Sequence, residues 1–234
     1  MLKIDSLRVA YGDFVAVSGA SLEAGDGQIA AVIGANGAGK SSLLNTVAGL
    51  LPSAGGKVFF RGEDITGMAP EKIVDRGLAL VPQGGRCFPR MSVRDNLMVG
   101  SYPKRARRDA AATLERVYAL FPVLKEKEKD LAGTLSGGQR QMLAIGRALM
   151  SKPSCLMFDE ISLGLAPIVI NDIYALIGRI NREEKIGVVL VEQNTERALR
   201  ISDSCFVMLK GRVVLSGQSA QVSTEAVKAA YFGI

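Results

Sequence analysis

Four short apolar runs punctuate the chain: "QIAAVIG" from Gln28, "LALVP" from Leu78, "CLMFDE" from Cys155 and "GVVLVEQ" from Gly187. They read as buried strands, and longer segments with helical spacing lie between them. That alternation predicts an α/β fold with a mainly parallel sheet. The segments "KIDSLRVAYG", "AVSGASLEAGDG" and "KVFFRG" read instead as short strands with polar turns, and predict an antiparallel β side layer. From Met91 to Met150 the strand signals vanish. Within that stretch "SVRD", Ser92 to Asp95, resembles a capping box opening a helix. "RRDAAATLERVYALF" repeats apolar residues at spacings of three and four until Pro122 interrupts it. The pattern predicts an inserted helical subdomain, approximately residues 88–150, within a single domain spanning 1–234. Towards the C-terminus "CFVMLKGRVVLSG" reads as two strands joined at Lys210-Gly211, and "TEAVKAAYFGI" as a closing helix. The chain shows no internal repeat and no low-complexity linker.

With 234 residues and 48% hydrophobic content, the chain can bury a sizeable core. No apolar run approaches the roughly 18 to 20 residues that cross a bilayer, and the opening "MLKIDSLRVAYG" alternates like a strand, so a cytoplasmic location is expected. The three cysteines, Cys87, Cys155 and Cys205, are far apart, and the chain has no histidine. They are expected to be reduced thiols in mostly apolar surroundings, with no zinc site. A net charge of +6 suits nucleic acid, an anionic membrane face or a polyphosphate ligand alike. The densest basic patch, "PKRARR" at Pro103 to Arg108, lacks interleaved aromatics, which favours a solvated helix end or loop over a nucleic-acid site.

Chemistry concentrates at the ends of the apolar runs. "GANGAGKSS" places Gly34, Ala35, Asn36, Gly37, Ala38, Gly39, Lys40, Ser41 and Ser42 directly after "IAAVI" and before the helical run "SSLLNTVAGLL". In that setting small residues let backbone amides turn inward on phosphate oxygens, and the new helix aims its positive end at the same charge. Lys40 is expected to reach the β- and γ-phosphates, and the Ser41 hydroxyl to ligate Mg²⁺. A ligand-free glycine turn is the alternative, and the register of Lys40 and Ser41 counts against it. "CLMFDE" supplies a second anchor: Asp159 to hold Mg²⁺ and Glu160 to orient or deprotonate an attacking water. "LSGGQRQ" then starts another helix, with Ser136 as its cap and the amides of Gly137 and Gly138 exposed. If Ser136 caps that helix, the group forms a second anion site; an ordinary helix cap after a loop is the alternative. The first cradle is already complete, so the second implies a second nucleotide, served by two copies facing each other head to tail.

These residues carry a resemblance. "GANGAGKSS", "VPQG", "LSGGQRQMLAIGRAL", "CLMFDE" and "SLGLAP" resemble the nucleotide-binding subunits of ATP-binding cassette (ABC) transporters, over essentially the whole chain. The resemblance implies a P-loop NTPase cassette and two subunits that sandwich two ATP molecules with Mg²⁺. Closure is then transmitted to membrane permease subunits, with the chain peripheral at the cytoplasmic face of the membrane. Position by position it implies that Tyr11 stacks on adenine and that Gln83 reaches Mg²⁺ and the attacking water. It implies that Leu135, Ser136, Gly137, Gly138 and Gln139 bind the partner's ATP, and that the loop Ser162 to Ala166 crosses to the partner's cradle. Three positions depart from the usual pattern: Gln193 stands where a histidine is common, Ile161 where a proline is, and Ala166 where an aspartate is. Gln193 can donate a hydrogen bond to the γ-phosphate but cannot carry charge.

"VEQN", "SLGLAPIVI" and "GRVVLSG" followed by "AVKAAYFG" are similar to one branch, the ATP-binding subunits of high-affinity branched-chain amino acid importers, in which two of the departures are normal. That branch implies a second, different ATP-binding subunit, two permease subunits and an extracytoplasmic solute-binding protein, with no nucleic acid. A homodimer remains open for the isolated chain. Urea or short-amide importers are the near alternative. A soluble ABC ATPase acting on nucleic acid or ribosomes is the distant one, and it usually needs a second cassette or a long coiled-coil insertion. A P-loop kinase is a further rival, but "LSGGQ" has no role there.

Overall fold

The computed structural model describes residues 1–232, and its elements follow the hydrophobic pattern. A hairpin of β1 (Leu2–Tyr11) and β2 (Phe14–Ala24) comes first, and β3 (Ile29–Gly34) leads through the glycine-rich turn into α1 (Lys40–Val47). Then come β4 (Gly55–Phe60), the short β5 (Glu63–Asp64), α2 (Pro70–Arg76) and β6 (Leu78–Val81). Helices α3 (Val93–Val99), α4 (Lys104–Arg107), α5 (Ala110–Leu120), α6 (Pro122–Glu126) and α7 (Gly137–Leu149) follow in succession. Among the described residues no strand lies between β6 and β7 (Cys155–Asp159). The chain continues with α8 (Pro167–Glu184), β8 (Gly187–Glu192), α9 (Thr195–Ile201), β9 (Ser204–Leu209), β10 (Arg212–Gln218) and α10 (Thr224–Phe232). Gly233 and Ile234, the last two residues of the expected closing helix, lie outside the described residues.

Two sheets form. The larger runs β10-β9-β3-β8-β7-β6, with every pair parallel except β10 against β9. The smaller, β2-β1-β4-β5, is antiparallel throughout and is the expected side layer. Why the two differ is visible in their sequences. Every residue of β3, β7 and β8 is buried, as strands covered on both faces require. On β7, Leu156 and Phe158 face the core shared with α5, α7 and α8, whereas Cys155 and Met157 face α1 and the side layer. β8 alternates the same way, with Val188 and Leu190 on one side and Val189 and Val191 on the other. β1 alternates buried and exposed residues, as suits a sheet packed on one face, and Ser6 breaks the register with a φ of 48°. The β9–β10 turn falls at Lys210 and Gly211, both with positive φ, which matches the right-handed twist of a tight hairpin.

Ser92 caps α3, accepting from the Asp95 amide, and it returns its own hydroxyl proton to the Asp95 carboxylate at 2.7 Å. Pro122 ends α5 and opens α6, as its missing amide dictates. Cys155 and Cys205 are buried and Cys87 partly so, all free thiols; burial pushes the Cys155 thiol up to about 12. The basic patch departs from expectation at one residue. Lys104, Arg107 and Arg108 are exposed, but the Arg105 guanidinium donates to the carbonyls of Val74 (2.7 Å), Asp75 and Ser151 (2.7 Å). Those carbonyls end α2 and follow α7, where helices leave acceptors unpaired and carry partial negative charge. Arg105 is a structural clamp rather than a solvated charge.

Candidate nucleotide site

The turn from β3 to α1 owes its shape to Gly39, whose φ is 98°. A Cβ there would overlap the carbonyl oxygen of Ala16, so no other residue fits without moving β2. Lys40 opens α1 with its side chain buried. Its ammonium donates to the carbonyls of Gly34 at 2.8 Å and Ala35 at 3.0 Å, and pairs with the Glu160 carboxylate at 2.9 Å. One residue on, the Ser41 hydroxyl donates to Asp159 at 2.9 Å. Parallel pairing of β3 with β8, and of β8 with β7, brings these groups together, because all three strands end at the same edge of the sheet. Burial pushes the Asp159 carboxyl above its usual range and the charge of Glu160 adds to this, while the Ser41 bond and Lys40 oppose it.

Glu160 is held in an uncommon conformation. Its φ is 45°, a left-handed value that a non-glycine residue adopts at a cost of order 1–3 kcal/mol, and its amide is pinned to the Val191 carbonyl at 3.1 Å. Its second carboxylate oxygen accepts from the Gln193 amide at 2.8 Å, and the same Gln193 nitrogen donates to Asn36 Oδ1 at 2.6 Å. Gln193 therefore bridges the cradle and the carboxylate. Gln83 lies with Ser41 and Asp159 in one cleft of about 460 Å³, whose walls also include Arg86, Arg147 and Leu50. Tyr11 is half-exposed and is not among the residues lining this cleft; its hydroxyl lies 3.2 Å from that of Ser42.

The second glycine-rich start lies apart: none of Leu135 to Gln139 lines this cleft. Ser136 and Gln139 form a reciprocal capping box, in which the Ser136 oxygen accepts from the Gln139 amide and the Gln139 side chain accepts from the Ser136 amide. Leu135 is buried beneath, and Ser136 and Gly137 are exposed. Val169 at the start of α8 leaves no room for a Cβ at Gly138, and a Cβ at Gly137 would touch Leu165 of the loop before it.

Sequence reasoning missed the bridge from Gln193 to Asn36 and Glu160, and gave no role to Glu192 or to Arg86 and Arg147 in the cleft. The positive φ at Glu160 left no local signal, since glutamate does not favour it.

A twisted parallel sheet whose first strand empties into a lysine-bearing phosphate cradle, with a helical segment carrying "LSGGQ" between β6 and β7, defines a nucleotide-driven transport cassette. The chain belongs to the ABC transporter family, whose sequence model matches residues 17–162, and it is an ATP-hydrolysing transporter subunit. It is 43% identical over 234 residues, covering 100% of both chains, to the high-affinity branched-chain amino acid transport ATP-binding protein BraG of Pseudomonas aeruginosa. It is 34% identical to the probable branched-chain amino acid transport ATP-binding protein LivF of Archaeoglobus fulgidus, covering 95% of this chain and 94% of that one. The fold is similar to the ADP conformation of an ATP-binding cassette of an ABC transporter, with a TM-score of 0.84 at 26% identity, covering 98% of this chain and 93% of that chain. Among the described residues no helix is long and apolar enough to cross a membrane.

Proposed function

We propose that the chain is the ATP-hydrolysing motor of a branched-chain amino acid importer, using Mg·ATP to close a dimer of cassettes beneath membrane permease subunits. The observation that carries this reading is the paired arrangement at the head of α1, with Lys40 on Glu160 and Ser41 on Asp159. Hydroxyl, carboxylate and amide oxygens from Ser41, Asp159 and Gln83 converge on one cleft, a hard-oxygen set that fits Mg²⁺ better than a softer metal. Bound there, Mg²⁺ would neutralise charge on the β- and γ-phosphates. Lys40 exchanges its carbonyl and carboxylate partners for phosphate oxygens, which frees Glu160. Glu160 then takes a proton from water as the water oxygen attacks the γ-phosphorus, and the bond to the ADP oxygen breaks. Gln193 holds Glu160 and donates to the γ-phosphate without adding charge. Tyr11 offers its ring to adenine. Ser136 and the amides of Gly137 and Gly138 serve the ATP of a companion cassette, a different subunit in cells and a second copy for the purified chain.

On the cleft wall, exposed Leu50 and nearby Phe88 give the permease an apolar seat beside Gln83. The chain sits peripherally at the cytoplasmic face, and a solute-binding protein contributes only through the permease. Similarity to BraG over the full chain supports branched-chain amino acids over urea or amides as the solute. Engagement of Arg105 by backbone carbonyls removes the central charge of the patch that motivated nucleic acid. The test compares three variants. Glu160→Gln is expected to bind ATP, lose turnover by at least about 100-fold and elute as a dimer with ATP on size exclusion. Lys40→Ala is expected to lose nucleotide binding, and Ser136→Arg to keep binding but not turn over. Wild-type turnover in Glu160→Gln would remove Glu160 from the chemistry.

A further inference from the structure

Glu192, the last residue of β8, is 1% exposed. Among the described residues no lysine or arginine pairs with it, so it forgoes the usual compensation for a buried carboxylate. One oxygen accepts from the Ser162 hydroxyl at 3.0 Å and from the Gln193 backbone amide at 3.3 Å. Its other oxygen has no hydrogen-bond partner among the described residues, and neither does the buried hydroxyl of Tyr174 on α8. Burial first, and then the charge of Glu192, push that phenol far up, so it stays protonated, facing the carboxylate and Ser162 without a well-formed hydrogen bond to either. Arg197 of α9 lies over the outer side of the Tyr174 ring at 5.5 Å. A packed hydrophobic residue at this position would cost less, so stability does not explain a carboxylate here.

The two groups that Glu192 does hold belong to different parts of the machinery. Ser162 opens the loop that brings Leu165 beside Gly137 and runs into Val169, which leaves no room for a Cβ at Gly138. Gln193 bridges Asn36 and Glu160. We propose that Glu192 is a positioning residue that ties the Ser162–Ala166 loop to Gln193, so that docking of a neighbouring cassette on the signature and this loop sets the amide that holds Glu160. From Leu165, beside Gly137, the path runs through Ser162, Glu192 and Gln193 to Glu160, and each step is a single hydrogen bond. Ala166 offers no side-chain oxygen for this task, which leaves Ser162 as the loop's polar handle. This inference rests on the ATPase reading above.

The test is steady-state ATPase kinetics of the full chain with Mg·ATP. Ser162→Ala and Glu192→Ala are each expected to lower kcat about tenfold with KM unchanged, and the double variant to fall no further than the worse single one, as for two ends of one contact. Glu192→Gln keeps an acceptor oxygen for both donors and is expected to stay within about twofold of wild type. Losses that multiply in the double variant, or a Glu192→Gln that falls as far as Glu192→Ala, would overturn the coupling. Should Glu192→Ala not fold, Ser162→Thr against Ser162→Ala decides: the retained hydroxyl is expected to preserve kcat, and equal loss in both overturns the proposal. The two readings fail separately. Turnover indifferent to Glu160→Gln contradicts the catalytic assignment, whereas normal dependence on Glu160 with multiplying losses contradicts the coupling alone.

Discussion

At Asp159 function and stability pull apart. The carboxylate is buried beside another carboxylate, and both effects raise its pKa, against the help of Ser41 and Lys40. A carboxyl whose folded pKa is raised costs stability when ionised, and this cost is relieved as pH falls through the folded value. Asp159→Asn removes the charge and is expected to raise the nucleotide-free melting temperature at pH 7 by a few degrees, of order 1 kcal/mol, with the gain shrinking on acidification. Turnover with Mg²⁺ is expected to vanish. A scan from pH 5 to 8 checks the sign, and a variant less stable than wild type at pH 7 would contradict it. The cradle residues were legible because each is needed for a local geometric reason, such as Gly39 at the turn or Lys40 at the helix start. The Gln193 bridge was not, since its partners Asn36 and Glu160 lie 157 and 33 residues away and meet only through strand order. Glu192 escaped notice for a related reason: a glutamate ending an apolar strand reads like the acidic end of β7 until its burial is known.

Among the elements, the buried strands were the most legible because parallel strands covered on both faces are apolar at every position. Short elements were less so. α2, α4 and α9 each span seven residues or fewer, too few for a helical period to stand out. α4 is also where charge misled, because Arg105 turns inward while its basic neighbours face solvent. Its guanidinium joins the C-terminal end of α2 to the residue just after α7, and thereby fastens the helical segment to α2. Arg105→Ala is expected to lower stability by about 2 kcal/mol, in the range of hydrogen bonds to charged groups, with an unchanged denaturant slope. Arg105→Lys is expected to recover only part, because an ammonium cannot fork to several carbonyls. Urea unfolding monitored by circular dichroism measures both, and an Arg105→Ala midpoint equal to wild type would show that the clamp carries no load. At the start of α8, Ala166 occupies the cap position without a side-chain acceptor, where an aspartate would have capped the helix.

For the whole molecule, the two glycine-rich helix starts explain each other only if a second cassette is present. Lys40 and its neighbours complete one cradle, and Ser136 caps α7 at the end away from the cleft, which the helix reaches only near its C-terminus, at Arg147. Leu163 and Ile168, in and after the Ser162–Ala166 loop, are exposed, and in the proposed dimer they would offer the companion apolar surface. The proposed division of labour is suggested in the sequence by "LSGGQ", whereas the path from the Ser162–Ala166 loop to Glu160 inside one chain is not. Mixing two inactive variants tests it directly. Lys40→Ala and Ser136→Arg chains are each expected to be inactive alone, but a mixed dimer regains one intact site, with Lys40 from one chain and Ser136 from the other. With random assortment the mixture should recover about a quarter of wild-type ATPase activity. A mixture no more active than the average of its components would contradict a nucleotide site built from two chains.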